Sequence, residues 1–139
     1  MTFPSHTAPD VPHGQIALFL DIDGTLAPIV PSPHDASIPA DTLSCLQALH
    51  EATGGAVALV SGRNLTDIDR MSGDAFPAAG QHGLELRMAD GTIQRQDADH
   101  ALIASLTEEL MELQAQYPWL LIEPKGLSIA VHYRQVPEL

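Results

Sequence analysis

Two carboxylates one residue apart, Asp21 and Asp23, close an uncharged run over 16–20 and are followed at once by Gly24 and Thr25. Like charges held that close repel each other, and a hard divalent cation with oxygen ligands relieves the repulsion. The same pair suits covalent chemistry at phosphorus, one carboxylate attacking while its neighbour moves protons. A buried strand running into an Asp-Gly turn explains Asp23-Gly24 but gives no reason for Asp21. A calcium loop counted from Asp21 needs Gly at its sixth position and Glu at its twelfth. Leu26 and Ser32 stand there instead.

Other groups could join that pair. Ser61-Gly62-Arg63 follows a second uncharged run, 56–60. Ser61 or Asn64 could simply cap the next helix, yet a hydroxyl and a glycine amide beside a helix N-terminus also suit phosphoryl oxygens. His82 and Glu85 follow a third apolar segment; a lone His is usually a satisfied structural residue. Glu123 and Lys125, the latter the only lysine of the chain, flank the turn Pro124-Lys125-Gly126-Leu127. A Glu and a Lys around a turn are usually surface decoration.

The elements that must position these groups read as an α/β chain. The run 16–20 suits a strand buried on both faces, as in a parallel sheet, and Asp21 then stands at the carboxyl edge where such sheets bind ligands. If extended geometry persists, Asp21 and Asp23 point the same way. Pro28, Pro31, Pro33 and Pro39 make 27–39 a loop over the site. Ser37 and Pro39 start a crossover helix with the apolar stripe Leu43, Leu46, Leu49 and Ala52, which Gly54-Gly55 ends. The strand 56–60 completes a βαβ unit, and a short helix over 64–72 and a strand over 76–81 follow. Strands 84–87 and 92–94 form a hairpin through Ala89-Asp90-Gly91. The spacing of Leu102, Leu106, Leu110, Leu113 and Tyr117 predicts a helix over 97–117 with its acidic side in water. Two antiparallel strands, 119–123 and 128–134, end the chain. The expected organisation is an arm over 1–14, the first half of a core with its hairpin over 15–96, and a partial lid over 97–139.

Composition narrows the function. The 139 residues carry 18 acidic and 6 basic side chains, a formal charge of −12, with 45% apolar content. That balance argues against nucleic acid and against anionic membrane surfaces. An acidic protein that handles a phosphate ester must supply positive charge locally, which favours a metal ion. The single Cys45 fits a reducing, cytoplasmic compartment and reads as a small buried residue of its helix. The arm holds Pro4, Pro9 and Pro12 and reads as neither signal peptide nor span; His6 and His13 there lack a partner for a zinc site. Nothing in the sequence speaks to oligomeric state.

Asp21-Ile22-Asp23-Gly24-Thr25-Leu26 resembles the first motif of the haloacid-dehalogenase-like phosphatases. The resemblance implies a Rossmann-like core, Asp21 as nucleophile, Asp23 as general acid and base, and Mg²⁺ held by the Asp21 side chain and the Asp23 carbonyl. Val60-Ser61-Gly62-Arg63 is similar to the family's second motif in its sugar-phosphatase branch. It implies that Ser61 binds phosphate with Gly62, and that Arg63 lies at the substrate entrance. Ala79-Gly80-Gln81-His82-Gly83-Leu84-Glu85 looks like a segment of the trehalose-phosphate phosphatases, which puts His82 and Glu85 near the site. The stretch from Glu123 to Arg134 resembles the cap segment of the same family. By that resemblance Glu123 and Lys125 contact sugar hydroxyls, while Ser128, His132 and Arg134 shape the cap sheet.

The likeness covers the first half of the family pattern. The later basic residue and the Gly-Asp-Asp-type cluster are absent, and Lys125 belongs to the cap segment rather than replacing the former. The expectation is therefore a truncated form of a phosphatase that acts on a small-molecule sugar phosphate, trehalose 6-phosphate. Each missing electrostatic group is worth on the order of 10²-fold in rate. A sucrose-phosphate or mannosylglycerate-phosphate phosphatase shares Asp21, Asp23 and Ser61. A non-catalytic binding fragment is the rival from another class. A signalling receiver fits the length and Pro124-Lys125, but its acceptor Asp belongs at the end of a third strand, where Gln81-His82-Gly83 stands.

Overall fold

A computed structural model describes residues 15–133. The arm with its His6 and His13, and Arg134 at the other end, lie outside the described residues. Strands β1 (Leu18–Asp21), β2 (Val57–Val60) and β3 (Ala78–Gly80) run parallel, and β4 (Glu85–Arg87) and β5 (Ile93–Arg95) extend the sheet antiparallel, in the order β1-β2-β3-β4-β5. Helices α1 (Ala40–Ala52) and α2 (Leu65–Ser72) make the two crossovers. A right-handed crossover in an order that never reverses places both helices on one face of the sheet. Under them lies the core, with Ile22, Leu46, Leu59, Ile68 and Phe76 fully buried; burial is worth about 1.5–3 kcal/mol for each such side chain.

The register decides what the other face carries. Leu18 and Leu20 lie beside Val57 and Leu59 on the helix side, whereas Phe19 and Asp21 lie beside Ala58 and Val60 on the opposite one. Phe19 is 73% exposed. The expectation of a first strand buried on both faces is thus corrected: β1 is covered on one face only, because neither crossover reaches the other.

The β4–β5 hairpin turns as its Asp-Gly sequence requires. Gly91 takes a φ of 83° and the Thr92 amide donates to Asp90 Oδ1 at 2.9 Å. A second layer consists of α3 (His100–Gln116) and the antiparallel pair β6 (Leu121–Pro124) and β7 (Ile129–His132). Asp99 caps α3 by accepting from the Leu102 amide at 3.0 Å. The face α3 turns inward differs from the expected leucine stripe. Ile103, Thr107, Leu110 and Gln114 are half-buried, whereas Leu102 is 54% exposed and Leu106, Leu113 and Tyr117 are also open. Gln114 accepts from the Ile122 amide of β6 at 3.3 Å, so the hydrogen bond and the small two-strand sheet set the contact line. Cys45 is exposed, correcting its expected burial; α1 turns Leu43 and Leu46 inward and leaves Cys45 outside. No helix among the described residues is long and apolar enough to cross a membrane.

Candidate active site

β1 delivers Asp21 to its carboxyl end and then breaks. The amides of Thr25, Leu26 and Ala27 all donate to the Ile22 carbonyl, and Gly24 donates to Ala27 O at 2.8 Å, so the chain turns immediately after Asp23. Ile22 is buried and anchors this turn, while Asp21 and Asp23 on either side of it are exposed. β2, beside β1, ends one residue before Ser61. Ser61 is 4% exposed, and its Oγ accepts from the Arg63 amide at 3.1 Å.

Arg63 comes back across the sheet edge to Asp23. Its Nε and Nη2 donate to Asp23 Oδ2 and Oδ1 at 2.9 and 2.7 Å, a two-pronged pair, and Nη1 donates to Pro33 O at 2.9 Å in the loop over the site. The hydrogen bond to Asp23 raises the guanidinium pKa above its ordinary value, against the opposing effect of burial.

The 61–63 turn is braced from behind by 81–83. Gln81 donates through its amide to Arg63 O at 2.7 Å and His82 to Ser61 O at 3.2 Å. Gln81 and His82 hold φ values of 48° and 58°, positions that cost a non-glycine residue roughly 1–3 kcal/mol and persist only where the surroundings enforce them. The His82 ring lies against Gly62 so closely that a Cβ there would sit 2.7 Å from its Nε2. Glycine at 62 is what lets the two turns meet.

Glu85 is buried behind these turns. It accepts from the Leu65 amide at the start of α2 at 2.9 Å and from Arg95 Nε at 2.9 Å. Burial would raise its pKa, but the Leu65 amide, Arg95 and Gln81 outweigh it and hold the carboxyl below the ordinary glutamate range. Asn64 caps the same helix by accepting from the Asp67 amide at 2.7 Å. Glu85 therefore supports the 61–63 turn from the interior.

The turn between β6 and β7 is seated on this edge. Lys125 Nζ donates to Gly62 O at 3.0 Å, and Ser128 Oγ donates to Gln81 Oε1 at 3.0 Å. Glu123 Oε2 lies 2.7 Å from His132 Nε2 and 3.7 Å from Lys125 Nζ. A cleft of about 400 Å³ results, with Asp23, Gly62, Arg63, Glu123, Lys125 and His132 in its wall. Of the residues expected at the site, Asp21 is exposed at the end of β1 but is not in the lining of this cleft, and Ser61 is buried next to Gly62, which is. Gly24, Thr25 and His82 are exposed outside the lining, and Glu85 lies behind it. Two contributors went unrecognised in the sequence. His132 was expected only to shape a sheet, yet strand alternation puts it on the same face as Glu123 at the diagonal position. Gln81, read as a strand end, joins the two turns to Ser128.

Among the described residues no group of three or more His, Cys, Asp and Glu side chains could hold a metal. The oxygen set is smaller. Both carboxylate oxygens of Asp23 are engaged by Arg63, which leaves its main-chain carbonyl, and the exposed Asp21 carboxylate has no hydrogen-bond partner among the described residues. Two hard oxygens fit an octahedral ion that keeps most of its waters and takes others of its ligands from a phosphate.

The profile of the trehalose-phosphatase family matches residues 19–139. The chain is similar to the trehalose-6-phosphate phosphatase of Escherichia coli, 38% identical over 139 residues covering 99% of this chain and 52% of that protein. It is 42% identical over 123 residues to a probable trehalose-phosphate phosphatase of Sinorhizobium fredii, covering 88% of this chain and 46% of that one. The C-terminal domain of the C. albicans trehalose-6-phosphate phosphatase superposes with a TM-score of 0.76 over 89% of this chain and 45% of that chain, at 24% identity, which shows the fold. The chain thus spans about half the length of the curated relatives it matches. With an α/β core and a profile match that runs from β1 onward, it belongs to the trehalose-phosphatase family.

Proposed function

We propose that this edge is the nucleophile-bearing part of a phosphatase centre acting on trehalose 6-phosphate. The observation that carries the reading is the placement of Asp21 and Asp23 at the end of β1, next to Ser61-Gly62-Arg63 at the end of the adjacent parallel β2. The Glu123–Lys125 turn lands on Gly62 and shares a cleft with Asp23 and Arg63.

Asp21 attacks phosphorus and the bond from phosphorus to the sugar oxygen breaks. Asp23 gives its proton to that leaving oxygen. Asp23 then takes a proton from water as the water oxygen attacks the aspartyl phosphate, which frees Asp21 and releases inorganic phosphate. The proton that Asp23 lends in the first step is recovered in the second. Ser61 Oγ accepts from the Arg63 amide, so its hydroxyl proton remains to donate to a phosphoryl oxygen. Glu123 and Lys125 orient the sugar, with His132 holding Glu123 in place. Mg²⁺, held by the Asp21 carboxylate and the Asp23 carbonyl, would supply the positive charge that phosphoryl transfer requires. The relatives' names support the substrate, and the two hard oxygens support the ion.

Phosphate release from trehalose 6-phosphate in the presence of Mg²⁺ tests the reading, with sucrose 6-phosphate as control. Selective release that falls by about 10³-fold or more in Asp21→Asn is expected. Release that survives this substitution, or that prefers the sucrose ester, would refute it.

A further inference from the structure

We infer that Arg63 is a positioning residue that fixes the Asp23 carboxylate, and that it is not a group for holding substrate. The inference rests on the role proposed above for Asp23, and it goes beyond the expectation that Arg63 lies at the substrate entrance.

Three of the five guanidinium N–H groups, one on each nitrogen, already donate to the protein: Nε and Nη2 to the two oxygens of Asp23, Nη1 to Pro33 O. The main chain of Arg63 is equally fixed, its amide donating to Ser61 Oγ and its carbonyl accepting from Gln81. The side chain is 9% exposed against 41% for Asp23. Both line the cleft, and the pair exposes more of the carboxylate than of the cation. To turn its planar fork onto a phosphate, Arg63 would have to leave bonds to two separate segments.

The forked geometry adds a directional constraint. A carboxylate offers about four lone-pair sites, and Arg63 takes one on each oxygen. The remaining site on each oxygen can exchange a proton while the carboxylate stays in one orientation. A planar fork holds both oxygens at once, whereas a lysine ammonium is a point charge that leaves the carboxylate free to rotate. Pro33 O ties the same guanidinium to the proline-rich loop, so the orientation of Asp23 is referenced to the cleft wall as well as to the sheet.

Three measurements on the 139-residue chain test this. In ¹H–¹⁵N spectra the Arg63 Nε–H should exchange at least about tenfold more slowly than that of Arg70, a half-exposed surface arginine. That protection should vanish in Asp23→Ala. Arg63→Lys should leave the affinity for trehalose 6-phosphate within about threefold and lower kcat about tenfold or more. Combined with Asp23→Asn, it should cost nothing further. Unprotected Nε–H in the unaltered chain, a tenfold loss of affinity with kcat kept, or additive losses in the Asp23→Asn background would each overturn the inference. The exchange and affinity arms need no turnover, so they decide the role of Arg63 even where Asp21→Asn shows that the phosphatase reading fails.

Discussion

Glu85 should be the residue whose loss most weakens the site without touching it. It accepts from the first amide of α2 and from Arg95, and both carboxylate oxygens are used. A hydrogen bond to a buried charged acceptor is worth about 1.5–3 kcal/mol, and a carboxylate at a helix N-terminus adds about 0.3–1 kcal/mol. The Arg95 arm is 56% exposed and adds little in water. Since these contributions overlap, Glu85→Ala should cost about 2–4 kcal/mol and Glu85→Gln, which keeps an acceptor, about 1–2 kcal/mol. Urea unfolding at constant m reads both. The pH dependence gives a second, independent check. The folded pKa of Glu85 is lowered, so its stabilisation is fully present above the unfolded value of about 4.3 and is lost as pH falls through the folded value. The gap between the unaltered chain and Glu85→Gln should therefore be widest near neutrality and shrink in acid. A gap unchanged down to about pH 3, or a cost below about 0.5 kcal/mol for Glu85→Ala, would show that the α2 start does not depend on this carboxylate.

Gly62→Ala should destabilise by about 1–2 kcal/mol because its Cβ meets the His82 ring. Adding His82→Ala should return most of that loss in the same urea assay. Leu59→Ala, at a fully buried position, should cost about 2–5 kcal/mol, whereas Phe19→Ala on the open face should stay within about 0.5 kcal/mol; equal costs would contradict the one-sided sheet. Calorimetric titration with trehalose 6-phosphate should show affinity falling about tenfold or more when Mg²⁺ is chelated. Unchanged affinity would refute the proposed ion.

The periodic elements were legible in the sequence because they obey local rules. The apolar run into Asp21, the glycines after α1, Asn64 before α2 and the Asp-Gly turn each state a boundary through backbone chemistry that needs no distant partner. What failed was burial. The sequence of β1 is apolar at both parities, so alternation could not show that Phe19 faces away from α1 and α2; only the strand order β1-β2-β3 decides which face two right-handed crossovers cover. The leucine stripe of α3 failed for a related reason. Its periodicity identified a helix, but Gln114 and its bond to Ile122 selected a neighbouring face, and a polar residue inside a contact line leaves no trace in an apolar pattern.

At the site, residue types were legible and their pairings were not. Arg63 and Asp23 are forty residues apart, and their two-pronged contact arises because β1 and β2 end side by side. Composition indicated that an acidic chain must gather positive charge where it handles phosphate. Among the described residues of the cleft, however, Arg63 is bonded to Asp23 and Lys125 lies near Glu123. Those four side chains cancel in formal charge, so a phosphate monoester dianion entering this cleft meets no surplus cation among them. Electrostatic stabilisation of a transferring phosphoryl group needs charge aimed at its oxygens. The two oxygens proposed for the ion, on the Asp21 carboxylate and the Asp23 carbonyl, are the part of this edge that would recruit such charge, while the Arg63 guanidinium holds the Asp23 carboxylate beside them.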